Sequence, residues 1–194
     1  GGSVLLGSTN AVGTFTANAG GDVLFREADG YGIGSLSDSA LNVAGGAANG
    51  TAVYRGTTGI VAGGTETIEL NTVAGAVTQT ADLTAQNLVL RGAAAYELTR
   101  SGNSVSKLAA DSGAGTVHYV NAGALELANV GTAELPSGVA LPAGKAIERT
   151  GDVWVRALVG NLTLSAAADV GASKLGLDAA GSVVQTEIGR ASCR

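Results

Sequence analysis

Cysteine, proline and aromatic residues are nearly missing from this sequence of 194 residues. Its one cysteine, Cys193, excludes a disulfide within the chain. With two prolines and no collagen-like period, the 31 glycines must serve turns and close backbone approaches instead. Apolar residues make up 45 % of the chain, which is ample for a buried core and excludes intrinsic disorder.

Basic residues and long apolar runs are also scarce. The chain carries 11 Lys and Arg against 16 Asp and Glu, for a net charge of −5, and its basic residues stand singly. We expect no nucleic-acid partner, because such a partner requires a basic stripe that displaces counterions from phosphates. No apolar run approaches the roughly 20 residues of a transmembrane helix, so we also expect no membrane span.

What is present is a series of short runs in which apolar residues alternate with others, at intervals of roughly 20 residues. Examples are VLFR, TIEL, YELT, VHYV, LELA, VWVR and LTLS, separated by clusters of Gly, Asn, Asp and Ser. The alternation predicts strands, and no segment keeps helical spacing. Strands repeated at this interval favour an all-β fold, a parallel β-solenoid. The alternative is a β-sandwich, but hairpin signals between strands are nearly absent, and Asn49-Gly50 is the only Asn-Gly pair.

Two pairs of longer segments also resemble each other. Residues 5–36 align with 98–130, and residues 68–80 align with 175–186, which indicates a super-repeat of about 100 residues. The apolar positions shared by the first pair are predicted to form the core of the coils: Val12, Phe15, Val23, Phe25, Tyr31, Ile33, Val105, Leu108, Val117, Tyr119, Leu125 and Leu127.

The repeat region is expected to span residues 1–186. Both prolines, Pro136 and Pro142, lie in one segment, so we expect an excursion from the coils near residues 134–150. The last eight residues, 187–194, break the pattern and resemble a translated sequencing-adaptor tail; the alternative is a natural connection to a further coil. Methionine is absent and the chain opens on glycine, so we expect an internal fragment of a longer protein, without caps.

The phrases NAVGTFTANAGGDVLF, AGAVTQTADLTAQNLVL and GNLTLSAAADVGA resemble the repeats of filamentous-haemagglutinin-like exoproteins. These are large surface adhesins of Gram-negative bacteria that leave the cell by two-partner secretion, and autotransporter passengers share much of their repeat style. The resemblance implies a right-handed parallel β-helix, export through an outer-membrane transporter and display at the cell surface. It also implies that host-cell or matrix carbohydrate or protein is the partner.

Two features could suggest catalysis or metal binding. Ser104 and Lys107 match the S-x-x-K spacing of some acyl-transferring enzymes, but that chemistry needs a helical turn between the two residues. In a strand, residues three apart face opposite sides. The single histidine, His118, has no second strong metal ligand nearby, and we interpret it as an exposed side chain without a special role.

A β-helical polysaccharide lyase or hydrolase is the enzymatic alternative. Such an enzyme needs two or three acids converging on one lateral groove. Glu27 with Asp29, and Glu148 with Asp152, have no matching acids in a partner coil, so we interpret them as solubilising charge on outer faces. We therefore expect no enzyme, no cofactor and no metal.

The stretch GDVWVRA carries the best candidate for a contact surface. Alternation places Asp152, Trp154 and Arg156 on one face and Val153 and Val155 on the other. If the valines fill the core, the tryptophan lies outside beside an arginine, and both residue types are frequent at contact sites. The alternative is a tryptophan buried in a wide coil.

These observations predict a segment of a secreted bacterial surface adhesin that acts as a stiff stalk and display scaffold. The alternatives are a fragment of a β-helical polysaccharide lyase or hydrolase, or a purely structural spacer of an autotransporter passenger.

Overall fold

The computed structural model describes residues 2–37, 39–41, 52–54, 56–131 and 143–186. These residues form 24 strands and no helix, and hence no helix that could cross a membrane. The strands are β1 (Val4–Asn10), β2 (Thr14–Phe15), β3 (Ala17–Asn18), β4 (Val23–Glu27), β5 (Tyr31–Ile33), β6 (Ser35–Leu36), β7 (Ser39–Leu41), β8 (Ala52–Tyr54), β9 (Thr57–Thr58), β10 (Ile60–Val61), β11 (Thr67–Thr72), β12 (Ala76–Gln79), β13 (Leu83–Thr84), β14 (Asn87–Arg91), β15 (Ala95–Leu98), β16 (Lys107–Gly113), β17 (Val117–Asn121), β18 (Leu125–Leu127), β19 (Ile147–Arg149), β20 (Val153–Ala157), β21 (Leu162–Leu164), β22 (Ala168–Asp169), β23 (Leu175–Ala179) and β24 (Val183–Gln185).

Nearly all of these strands belong to three parallel sheets. Sheet A has the order β1-β4-β11-β14-β16-β18-β21-β24, with β19 beside β16 and β22 beside β19. Sheet B has the order β2-β5-β12-β15-β17-β20-β23, and the small sheet C has the order β13-β10-β3. The chain passes alternately through sheets A and B. We call one strand of sheet A together with the following strand of sheet B a rung.

The rungs stack in a regular register. In sheet A, Ile68 pairs with Leu88, and Leu88 pairs with Leu108, so the same position recurs after 20 residues. All pairs in the three sheets are parallel, which does not fit the antiparallel β-sandwich. The all-β, parallel prediction is confirmed, and the arrangement is compatible with a β-solenoid.

The core lies between the inward faces of the sheets. One continuous apolar cluster includes all but one of the predicted core positions: Phe15, Val23, Phe25, Tyr31, Ile33, Val105, Leu108, Val117, Tyr119, Leu125 and Leu127. The prediction was wrong for Val12, whose side chain is 38 % exposed. Val12 lies in the connection between β1 and β2, where strand alternation does not apply, and its amide donates to the Glu27 carboxylate at 3.3 Å.

The two segment alignments do not join equivalent positions of the fold. Val23 lies in sheet A, whereas its aligned partner Val117 lies in sheet B. Likewise, Ile68 lies in sheet A and its aligned partner Leu175 in sheet B. Both alignments are therefore shifted by half a rung. The reason is that strands of both sheets place alternate apolar residues in the core, so the local sequence pattern is the same on each.

A first excursion leaves the stack after β5 and returns at β10. Within it, β6 pairs with β9 and β7 pairs with β8, both antiparallel, as in a hairpin. The predicted hairpin signal Asn49-Gly50 falls between β7 and β8 but lies outside the described residues. The stack continues because Ile60 of β10 pairs with Ala17 of β3 on one side and Leu83 of β13 on the other.

A second excursion interrupts a strand of sheet A. Leu108 of β16 pairs with Leu127 of β18, whereas Ala110 of the same strand pairs with Ile147 of β19. One strand position beside β16 is thus filled by two strands, β18 before the excursion and β19 after it. The predicted range 134–150 ends too late, because β19 fills a place in the ladder. Pro136, Pro142 and the tail 187–194 lie outside the described residues.

The chain beside this excursion covers part of the outer face of sheet A. Val130 and Gly144 exchange two backbone hydrogen bonds, of 2.8 and 2.7 Å. Val130 packs against Val89 and Ala109, which point outward from β14 and β16, and all three are buried. This part of the outer face of sheet A is therefore apolar and covered, unlike the open face of sheet B described below.

A buried asparagine ties three rungs together near the corner between sheets B and A. The Asn103 carboxamide oxygen accepts hydrogen bonds from the Leu83 amide at 3.0 Å and from Gln79 Nε2 at 2.8 Å. Its Nδ2 donates to Gln79 Oε1 and to the carbonyls of Leu98 and Val120, at 2.8, 3.1 and 3.2 Å. The side chain is fully buried, so these bonds replace water completely.

A buried ion network links three strands of sheet A. Arg91 Nε donates to the Glu69 carboxylate at 2.9 Å, and Arg91 Nη1 donates to the Asp111 carboxylate. Glu69 and Asp111 are buried and Arg91 is nearly so. Burial raises the pKa of Glu69 even though the Arg91 charge opposes the shift.

Candidate functional site

The outer face of sheet B carries an exposed tryptophan. Along β20, Val153 and Val155 are buried in the core, whereas Trp154 points outward and is 52 % exposed. The valines fill the core as the first of the two sequence interpretations requires, so the tryptophan is not buried inside a wide coil. Trp154 is the sole tryptophan of the chain.

The neighbouring strands hold the indole in place. In the ladder, Trp154 pairs with His118 of β17 on one side and with Gly176 of β23 on the other. A side chain at position 176 would collide with the benzene-ring atoms of the indole. Glycine at this position therefore lets the ring lie against the next strand, so that it stands as a fixed surface.

Two polar pairs flank the tryptophan. Arg156, two residues along the same strand, lies beside Asp178 of β23, with Nε 3.0 Å from Oδ2. His118 Nδ1 lies 2.8 Å from Glu97 Oε2 of β15. All four side chains are between 39 and 64 % exposed. Exposed pairs of this kind add only about 0–1 kcal/mol to stability, so their polar atoms are available to a ligand at small expense to the fold.

Trp154, with His118 on one side and Arg156 and Asp178 on the other, lines a groove of about 450 Å³ on the outside of the rungs. We call it the Trp154 groove, and its lining residues are Thr99, His118, Tyr119, Val120, Trp154, Val155, Arg156 and Asp178. They come from four successive rungs, so the groove runs along the stacking direction for about 14 Å.

The sequence identified two of these groups and misplaced a third. Trp154 and Arg156 line the groove, whereas Asp152 does not. The Asp152 carboxylate accepts a hydrogen bond from the Lys174 amide at 2.9 Å, so it holds the next rung. His118 and Asp178 were missed, because alternation along β20 does not tell which strands lie beside it.

The serine and lysine of the S-x-x-K match have separate structural contacts. Ser104 is exposed, and its backbone forms a bridge with Thr84 of the preceding rung. Lys107 begins β16, and its ammonium nitrogen lies 3.6 Å from the Glu126 carboxylate.

The interpretation of Glu27 as solubilising charge was wrong. It is fully buried at the end of β4, where the alternation of Val23 and Phe25 continues inward. Its carboxylate accepts hydrogen bonds from the amides of Val12 and Ala28, at 3.3 and 3.1 Å, and so holds the corner between sheets A and B.

The expectation that Glu148 has no matching acids was also wrong. In sheet A, Glu148 pairs in register with Asp111 on one side and Asp169 on the other. Each carboxylate is engaged: Asp111 by Arg91, Glu148 by Lys145 at 2.6 Å, and Asp169 by the Gly171 amide at 2.8 Å. Hydrogen bonding to Glu148 raises the pKa of Lys145. Among the residues described, no group of three metal-ligating side chains is arranged to hold a metal.

Comparison with protein-family models, with curated proteins and with solved structures finds no match to this chain. We therefore infer its function from the stacked fold and from the geometry of the Trp154 groove.

Proposed function

We propose that this chain is a right-handed parallel β-helix and a segment of a secreted bacterial surface adhesin. In this role it is a stiff stalk and display scaffold, exported as an unfolded chain through an outer-membrane transporter. The observation that supports the proposal best is the ladder of sheet A, whose eight successive levels within the described residues are joined by parallel pairing. The repeat resemblance to filamentous-haemagglutinin-like exoproteins supplies the biological setting.

Mechanical stiffness follows from this ladder. An inner strand such as β14 is hydrogen-bonded to β11 on one side and β16 on the other, so a lateral force is shared between neighbours. Eight levels span about 34 Å at the usual strand spacing. The single cysteine leaves the rungs without an internal disulfide, which suits a chain that crosses a membrane unfolded.

Excursions suit display. The chain leaves the stack between β5 and β10 and again between β18 and β19, yet the ladder continues on both sides. Segments of different length can therefore be inserted between the rungs without disturbing the stalk, as a display scaffold requires.

Single-molecule force spectroscopy tests the stalk. We expect unfolding in contour-length steps of about 65–70 Å, the extended length of a 20-residue rung. A single step that releases the whole chain would contradict a stack of rungs that act as separate units.

Beads coated with the purified chain test the adhesive role on cultured epithelial cells. We expect binding that falls when Trp154 and Arg156 are both replaced by alanine. Rung-sized force steps with unchanged bead adhesion in this variant would favour the structural spacer. Cleavage of polygalacturonate that is lost in Glu148→Gln would favour the enzymatic alternative, since Glu148 lines a second groove of about 430 Å³ with Asp169.

A further inference from the structure

We propose that the Trp154 groove binds a neutral oligosaccharide. The inference deepens the proposed function, and it rests on that function for its setting, a surface outside the cell where glycans are met. It names the ligand class from the geometry of the groove itself.

The tryptophan provides the stacking surface. The indole lies against Gly176 and leaves about half of its side chain open to solvent, at 52 % exposure. Among the exposed large apolar residues described, it is the only aromatic one. A pyranose ring presents a face of C–H groups with small positive charge, and the negative face of an aromatic ring attracts such groups.

The flanking pairs provide hydrogen bonds for hydroxyl groups. The guanidinium of Arg156 and the carboxylate of Asp178 stand side by side, a donor next to an acceptor. His118 and Glu97 form the corresponding pair on the neighbouring rung. Adjacent hydroxyls of a sugar need donors and acceptors together, and bonds to charged groups are stronger than bonds between neutral ones.

The charge balance points to a neutral ligand. Arg156, the one lysine or arginine among the lining residues, is already paired with Asp178, and Glu97 is paired with His118. A sulfated or phosphorylated ligand would have to compete with the Asp178 carboxylate for this guanidinium. The hydroxyls of a neutral sugar bond to both members of a pair without separating them.

The size of the groove points to a small ligand rather than a protein. Its volume of about 450 Å³ lies in the usual range for small-molecule sites, roughly 300–1,000 Å³. It has eight lining residues, whereas a stable protein interface takes about 20–30 residues on each side. Its length across four rungs suits a short oligosaccharide that lies along the stack.

Fluorescence titration of the purified chain tests the proposal, because Trp154 is its only tryptophan and reports on this groove alone. The probes are cellohexaose, laminarihexaose, mannohexaose, N-acetylglucosamine hexamer and a heparin hexasaccharide. We expect at least one neutral probe to shift the emission to shorter wavelength with saturation. Isothermal titration calorimetry should then show binding at least about tenfold weaker in Trp154→Ala, as for a central aromatic contact.

Two further variants complete the test. Asp178→Ala should weaken the binding of the neutral probe, and it keeps Trp154 as the fluorescent reporter. Lys107→Ala removes an exposed ion pair outside the groove, so this variant should bind the probe like wild type. Trp154→Ala keeps the fold, because the removed ring is outside the core.

Three outcomes would overturn the proposal: no neutral probe binds, the heparin hexasaccharide binds more tightly than every neutral probe, or binding survives in Trp154→Ala. A peptide from cell extracts that competes for the groove more tightly than all the sugars would overturn it as well. In each of these cases rung-sized force steps would still support the stalk, so the two proposals fail separately.

Discussion

Replacement of Asn103 by alanine tests how the rungs hold together. Asn103 makes five hydrogen bonds that join three rungs, and it is fully buried. The substitution removes the whole carboxamide but keeps a small apolar side chain. It therefore leaves partners in place that have no access to water.

The expected loss of stability follows from those partners. The Leu83 amide lies in the buried core and loses its acceptor, which costs about 1–3 kcal/mol. The carbonyls of Leu98 and Val120 lose a donor each, at about 0.5–1.5 kcal/mol apiece, whereas the half-buried Gln79 can turn to solvent. Together these losses come to about 2–6 kcal/mol, with a central value of about 4 kcal/mol. For a domain of this size, a loss of about 4 kcal/mol should lower the melting temperature by about 8–16 °C.

Thermal melting followed by far-ultraviolet circular dichroism measures the effect. Asn161→Ala is the matched control, because Asn161 is exposed and its side chain accepts one bond, from the Ser182 amide at 2.9 Å. The control should melt within about 2–4 °C of wild type, the equivalent of about 1 kcal/mol. If Asn103→Ala melts no lower than Asn161→Ala, the argument that a buried amide holds the rungs is refuted.

Three further predictions concern the corners, the ion network and the buried tyrosines. Gly92→Ala should lower the melting temperature by at least about 4 °C, because Gly92 has φ +82° and a Cβ there would meet the Thr72 carbonyl, whereas Gly64→Ala, which faces open space, should melt like wild type. Arg91→Met should cost about 3–5 kcal/mol in urea unfolding by stranding the buried Glu69 carboxylate, and a double variant with Glu69→Gln should recover part of the loss; an equal loss in both would count against the network. Burial raises the pKa of Tyr96 to about 12, above its unfolded value of about 10, so its contribution is present below pH 10 and lost as pH rises toward 12. Tyr96→Phe should remove the loss of stability that Tyr96 causes in this pH range. The ionisation is followed by tyrosinate absorbance, and a native-protein titration that this substitution leaves unchanged would contradict the prediction.

The stacked fold could be predicted because apolar residues alternate with other residues along each short strand. Runs such as VLFR and VHYV place every second residue in the core, Val23 and Phe25 in the first and Val117 and Tyr119 in the second, and the separating Gly and Asn clusters allow the corners. Local alternation does not say which sheet a strand joins. Val23 and Val117 therefore aligned well in sequence although they lie in different sheets.

The groove could be predicted only in part. Alternation on β20 was enough to place Trp154 and Arg156 outward. Their neighbours were hidden, because 36 residues separate His118 from Trp154 whereas 22 separate Trp154 from Gly176. The longer interval contains the second excursion. No local sequence pattern indicates how many of its residues lie in the excursion and how many lie in the rung.

Buried charge was the other feature that the sequence did not reveal. Glu27 and Glu69 are acids in strands, and an acid in an amphipathic strand usually marks the solvent face. Here backbone amides and Arg91 supply their partners, and these partners are distant in sequence or lie across a corner. Such pairing becomes visible only once the register of the rungs is known.

The split strand formed by β18 and β19 has a consequence for how the chain can be divided. Its two halves are held by ladder bonds to β16, and neither needs a covalent link to the other to find its place. A chain cut between residues 131 and 143 therefore leaves two pieces with matching open edges. The protein is suited to fragment complementation, in which two separately made polypeptides reassemble and report on whatever brings them together.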